Sequence, residues 1–268
     1  MSRRWAELII GPFRASWRAG LGWSLLLVLL IVSTVAFWPA FRGSSGITQA
    51  IEQLPQALLQ AFGLQDFGTA AGYLRGGLYE VLVPLVFAAA GIVFANTMSA
   101  GDEDAGHFEL FLAQPVTRIA FLTGRSLAVL GWLIVLTVVT IVAQLGSDAL
   151  FGVPIDTGLV LATIVLCALL GAFMAGVSIA VGGASTRPGL VLSVGFGVAY
   201  TSYLVLALFQ LSPLLAPWRH ISPWDWALGG DPLSNPTEPW RYLILAGGAV
   251  LFATVGIVGF DRRDVRSA

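Results

Sequence analysis

Apolar residues fall into six long blocks, roughly 20–38, 78–98, 121–146, 158–184, 189–211 and 241–260. Each is about the 20 residues that a helix needs to cross the hydrocarbon core of a bilayer. The pattern therefore predicts an all-α polytopic membrane protein of six transmembrane helices, one transmembrane domain over residues 1–268. The connections alternate in character. Pro, Gly, Trp and acids collect in 39–77, 147–157 and 212–240, whereas Arg collects in the N-terminal segment, the 99–120 loop, the Thr186-Arg187-Pro188 turn and the tail.

Two further stretches have helical periodicity without the length of a span. At about 100° per residue, Trp5, Leu8, Ile9, Phe13 and Trp17 share an arc, opposite Arg3, Arg4, Glu7, Arg14 and Arg18. Residues 1–19 thus read as an amphipathic helix lying in the inner leaflet, its Arg toward anionic headgroups, with Pro12 interrupting it. In 47–63, Ile47, Ile51, Leu54, Leu58 and Phe62 oppose Gln49, Glu52, Gln53, Gln56 and Gln60. This segment could rest on the outer leaflet or cover a cavity.

Inside the spans, small residues recur every four positions. Ala168, Ala172, Gly176, Ala180 and Ala184 form such a ridge in the fourth span, and Ser193, Gly197 and Thr201 repeat it in the fifth. Ridges of this kind let helices approach closely. The tight turn at 186–189 predicts that these two helices are antiparallel neighbours.

Composition agrees with the pattern. Charged residues make up 11% of the chain, against about 25% in soluble domains, and the mean hydropathy is +0.84. All 14 basic residues are Arg. Arg3, Arg4, Arg14, Arg18, Arg118, Arg125, Arg187, Arg262, Arg263 and Arg266 fall on one side of a six-span arrangement, and only Arg42, Arg75, Arg219 and Arg241 on the other. Arg-rich short loops stay cytoplasmic, so both termini are expected inside a bacterial cytoplasmic membrane. Trp38, Trp218, Trp224, Trp226 and Trp240 fall near the outer ends, where interfacial aromatics gather. The first apolar block is too long for a cleavable signal segment. The one cysteine, Cys167, lies inside a span and reads as a packed thiol.

Candidate catalytic chemistry is sparse. The two histidines, His107 and His220, lie far apart and outside the spans, there is no Lys, and no phosphate-cradling Gly-Lys-Ser/Thr loop is present. A membrane metalloprotease or serine protease, and ATP hydrolysis through such a loop, are therefore not expected. The span interiors hold few ionisable groups, whereas ion-driven carriers place them at mid-membrane. A secondary transporter or channel not driven by ATP is the competing reading.

The unusual segment is cytoplasmic, 101–118. Asp102, Glu103 and Asp104 suit the positive N-terminus of a short helix, Phe108, Phe111 and Leu112 form an apolar stripe, Glu109 adds a fourth acid, and Pro115 ends the helix. This combination fits a docking helix for a cytoplasmic partner. From Glu103 to Arg118 the chain reads Glu-x-x-Gly-x-x-Glu-Leu-Phe-Leu-Ala-Gln-Pro-Val-Thr-Arg, with Gly124-Arg125 following. That run resembles the signature after the second span in permease subunits of type-2 ABC exporters. The Ser222-Pro223-Trp224 and Gly229-Gly230-Asp231-Pro232 stretch before the last span is similar to the same family. Gly106-His107 stands where the family more often has Gly-Thr, and Arg125 where Lys is frequent.

The resemblance implies that 101–118 is a coupling helix, with Asp102, Glu103, Asp104, Phe108, Glu109, Phe111, Leu112, Pro115 and Arg118 docking on a separately encoded ABC ATPase. It also implies a second permease subunit, in a homo- or heterodimer, and contact with membrane lipids; nucleic acid has no part in it. ATP and Mg would be bound by the partner ATPase, and this chain would bind no cofactor or metal. The apolar spans favour a hydrophobic or amphipathic cargo, for which Phe37, Phe87, Tyr200 and Tyr203 are candidate contacts, with structural packing the favoured role for each.

Overall fold

The computed structural model describes residues 2–42, 68–101 and 117–262, with isolated positions 46, 53–55, 59 and 66 between them, and for 2–6 the backbone alone. Among these residues the chain forms helices and turns and no strand. The elements are α1 (Ser2–Ala15), α2 (Trp17–Ala36), the single turn α3 (Trp38–Phe41), α4 (Ala70–Leu74), α5 (Leu82–Asn96), α6 (Arg118–Phe151), α7 (Thr157–Ala184), α8 (Pro188–Phe209), α9 (Pro223–Leu228) and α10 (Pro239–Arg262). π-helical turns at Arg75–Tyr79 and Thr97–Gly101 flank α5, and a 3₁₀ turn spans Ala216–Ile221.

Among the described residues, six helical stretches are long and apolar enough to cross a membrane: Trp17–Phe41, Ala70–Gly101, Arg118–Phe151, Thr157–Ala184, Pro188–Phe209 and Pro239–Arg262. The chain is thus an all-α multi-pass membrane protein. Several rods exceed the apolar blocks that announce them. The rod containing 78–98 starts at Ala70, because the Thr69 side chain caps it by accepting from the Gly72 N–H at 3.0 Å. The 34 residues of α6 reach about 50 Å at 1.5 Å per residue, well beyond a ~30 Å core, so this helix tilts or projects past the bilayer.

Local chemistry explains the turns. Thr117 caps α6 by accepting from the Ala120 N–H at 3.2 Å. Gly152, at φ +65°, ends it in the left-handed conformation that glycine adopts without a Cβ penalty. Asp156 then opens α7 by accepting from the Leu159 N–H at 3.0 Å.

The core is organised around α7, which packs against α5, α6, α8, α9 and α10. Backbone approaches here are close because the interface residues are small. A Cβ on Gly171 would stand 2.7 Å from the Phe87 carbonyl oxygen, and one on Gly176 2.6 Å from that of Ala249. Gly91 against Gly171, and Gly183 against Gly256, approach more closely still. Gly176 and Ala180 of the expected ridge therefore do meet another helix, α10 rather than α8. In α8 the register differs from expectation. Ser193, Gly197 and Thr201 are exposed, and the packed face is Val191, Gly195, Ala199, Ser202 and Leu206. Gly195 sits against Ser178 and Ile92.

α1 keeps the expected amphipathic arrangement in its described part, with Leu8, Ile9 and Phe13 half-buried and Glu7 and Arg14 exposed. Its apolar face, however, is committed to protein. Phe13 stacks on Trp132 of α6 with centroids 4.5 Å apart, and the Trp132 indole N–H donates to the Phe13 carbonyl at 3.1 Å. Helix α1 also continues through Pro12, and the break comes at Ser16. The amphipathic 47–63 segment lies largely outside the described residues.

Candidate functional site

Residues 102–116 lie outside the described residues, so the expected coupling contacts at Asp102, Glu103, Asp104, Phe108, Glu109, Phe111, Leu112 and Pro115 have no structural account. What is described is the frame on either side. The second span ends in the π turn Thr97–Gly101, in which Ser99 is buried and donates to the Ala95 carbonyl at 2.6 Å. Ser99 fills the space over Gly182 of α7. After the segment, Thr117 and Arg118 open α6.

The two sides of the frame are joined by Arg125. Its buried guanidinium donates to the Met98 carbonyl at 3.4 Å and lies 4.4 Å from the Phe121 ring centroid, an arrangement favoured by the ring quadrupole. Phe121 in turn stacks on Phe260 at the end of α10, centroids 6.5 Å apart. Beside Arg125, Gly124 lies under α1, where a Cβ would stand 2.9 Å from the Cβ of Leu8. The Gly124-Arg125 pair thus has two jobs: the glycine admits α1, and the arginine ties α6 to the end of the second span.

The opposite end of the bundle is closed by residues 210–238. Ser222 caps α9 by accepting from the Trp224 N–H at 3.1 Å, and its own hydroxyl donates to the Ser202 carbonyl at 2.6 Å. Trp224 is almost fully buried, edge-on to Tyr203, and its indole N–H donates to the Glu80 carbonyl at 3.3 Å. Arg75 donates to Asp231 at 2.6 Å, tying this cap to the second span. The buried Asp225 carboxylate is met by the exposed His220 ring at 2.8 Å and by Arg219 at 3.4 Å. From α10, buried Arg241 donates to the Asp225 backbone carbonyl at 2.7 Å. The Ser-Pro-Trp and Gly-Gly-Asp-Pro stretch is therefore a folded polar cap.

The four expected cargo contacts are in different surroundings. Phe37 and Tyr200 are exposed, at 68% and 64%, Phe87 is fully buried beneath Gly171, and Tyr203 is half-buried against Trp224. Sequence reasoning overlooked a polar chain inside the spans. The buried Tyr79 hydroxyl donates to Gln144 Oε1 at 2.9 Å, and Gln144 Nε2 donates to Asp148 at 2.8 Å. The i, i+4 spacing of Gln144 and Asp148 was the available signal, but Tyr79 comes from another span. Among the described residues, no three His, Cys, Asp or Glu side chains converge to hold a metal ion.

A family model described as ABC-2 family transporter protein matches residues 9–265, nearly the whole chain. No curated protein matches it.

Proposed function

The chain belongs to the ABC-2 transporter family, and from that premise we propose that it is the permease subunit of an ATP-driven exporter. In this reading it pairs with a separately encoded ABC ATPase through 101–118 and moves a hydrophobic or amphipathic cargo across a bacterial cytoplasmic membrane, both termini inside. Support comes from the frame around 102–116. Its two ends are helical, and the Arg125 contact with the Met98 carbonyl ties α6 to the second span. A push delivered between Gly101 and Thr117 would move α5 and α6 together, and through Phe121 and Phe260 the end of α10. The ATP and Mg belong to the partner, since this chain carries no phosphate-cradling loop.

The exposed Ser193, Gly197 and Thr201 stripe of α8 supports a second permease subunit packing there. For cargo, the exposed Phe37 and Tyr200 are the accessible candidates. Phe87 would be reached only after α5 separates from α7.

The decisive experiment is co-expression with the ATPase subunit. Truncating an anchor at an interface commonly costs about 2 kcal/mol or more, so Phe111→Ala should weaken ATPase copurification and uncouple export while the permease stays folded. Glu103→Ala should give a smaller, salt-sensitive defect, as a rim charge does. Full association and export in both Phe111→Ala and a Glu103/Glu109 double alanine variant would remove this segment as the docking element.

A further inference from the structure

The polar cap contains a cavity of about 310 Å³ beside the first turn of α10. Gly230, Asn235, Thr237, Glu238 and Arg241 contribute to its lining. Arg241 is 8% exposed. Its Nη1 donates to the Asp225 and Trp226 carbonyls at 2.7 and 3.3 Å, and its Nε to Glu238 at 3.4 Å. These bonds hold the guanidinium still while Nη2 meets no acceptor among the described residues. Gly230 keeps that group uncovered: a Cβ there would stand 3.0 Å from Cζ and 3.2 Å from Nη2. The buried hydroxyl of Thr237, a residue that also lines the cavity, has no hydrogen-bond partner among the described residues. Two unspent donors, one carrying a fixed positive charge, make a seat for an anion.

The rim has the opposite sign. The Glu238 side chain is 62% exposed, and its Oε2 is held by the Trp240 indole N–H at 2.9 Å. An anion with a second negative charge would be repelled there, whereas a ligand carrying an ammonium beside its anion would be paired at both ends. The volume is at the small end of the ~300–1,000 Å³ of ligand pockets, enough for a headgroup. Immediately below, Trp240, Leu243 and Ile244 are exposed on a membrane-spanning helix, so the cavity sits where interfacial aromatics mark the edge of the hydrocarbon.

We propose that this cavity binds the phosphoethanolamine group of a membrane lipid, its phosphate on Arg241 Nη2 and the Thr237 hydroxyl and its ammonium on Glu238. A choline headgroup lacks the N–H donors for Glu238, and a glycerol headgroup lacks the positive charge. The site stands independently of the exporter reading.

Native mass spectrometry of the full chain tests it, with phosphatidylethanolamine, phosphatidylcholine and phosphatidylglycerol titrated separately and soluble phosphoethanolamine as competitor. One charge-assisted hydrogen bond separates the headgroups, so phosphatidylethanolamine should bind about tenfold more tightly than the other two. Glu238→Gln should lower it to their level and leave phosphatidylglycerol unchanged, while Thr237→Val should weaken all of them severalfold. Arg241 also anchors the cap, so the proposal is tested on these two rim and wall variants, each checked for an unchanged melting profile. Equal affinity for the three lipids, or no response to Glu238→Gln, overturns the proposal. Binding of soluble phosphoethanolamine that phosphatidylethanolamine does not displace would identify a soluble ligand and overturn the lipid as its source.

Discussion

Two prolines decide much of the fine structure. A proline inside a helix has no N–H for the carbonyl four residues earlier. Pro84, in the first turn of α5, offers no N–H to the Glu80 carbonyl just before that helix, and the Trp224 indole takes it from across the cap. Pro12 frees the Leu8 carbonyl, which faces Gly124, where α6 has no side chain to obstruct it. Trp224→Phe should keep the ring packing against Tyr203 but leave a partly buried carbonyl without its indole donor, at a cost of about 1 kcal/mol. The readout is a lower melting temperature in detergent, and an unchanged one would show that the indole bond contributes nothing. Gly124→Val should lift α1 from α6 and expose Trp132, measured as stronger quenching of its fluorescence by a soluble quencher in a variant whose other tryptophans are replaced by Phe. Both carbonyl partners were hidden in the sequence, because the proline names the orphan but not the group that reaches it.

At the scale of elements, helix pairing is set by where side chains are missing. Packing, not a hydrophobic drive, joins helices in lipid, so the glycine contacts of α7 with α5 and α10 are the sites most sensitive to added volume. Gly183→Val should force α7 and α10 apart and strongly reduce folded yield. Gly197→Val, on the exposed stripe of α8, should leave the melting profile unchanged and reduce association with a second permease subunit, read as a loss of dimer by light scattering. An unchanged yield for Gly183→Val would contradict the tight α7–α10 contact. The α7 ridge was legible from Gly176 and Ala180, although not its partner. The α8 face was not, since Gly195 and Ala199 repeat at the same four-residue spacing as Ser193 and Gly197. Only the position of α5 and α7 selects between them.

For the whole molecule, the bundle is joined at both ends by contacts distant in sequence. At one end Arg125 joins α6 to Met98, and at the other Arg75 reaches Asp231. The Arg75–Asp231 pair is partly buried, so a double-mutant cycle with alanine at both positions should give a coupling of about 1 kcal/mol, near the upper end for exposed pairs. Zero coupling would mean that the pair is incidental. The orientation proposed above predicts that a reporter after Ala268 is cytoplasmic and that a cysteine at Leu150, 82% exposed, is labelled from outside. Ser147, one turn earlier, is buried and should react poorly. Labelling of the tail from outside would reverse the topology.

By itself the sequence determined that the chain is a six-span helical membrane protein of the ABC-2 transporter kind. Span length, arginine placement and the Glu-x-x-Gly run are local properties, read within windows of about 20 residues. The helix ends at Thr117, Gly152 and Asp156 are likewise set locally, because caps act within one turn of the chain. Tertiary structure decided that α1 lies on α6, that Trp224 takes the Glu80 carbonyl, that Tyr79 meets Gln144, and that Gly230 leaves Arg241 open to a cavity. Each of these joins residues dozens of positions apart or depends on an empty space. Neither a distant partner nor a missing side chain's neighbour is encoded in any single stretch of hydrophobic pattern.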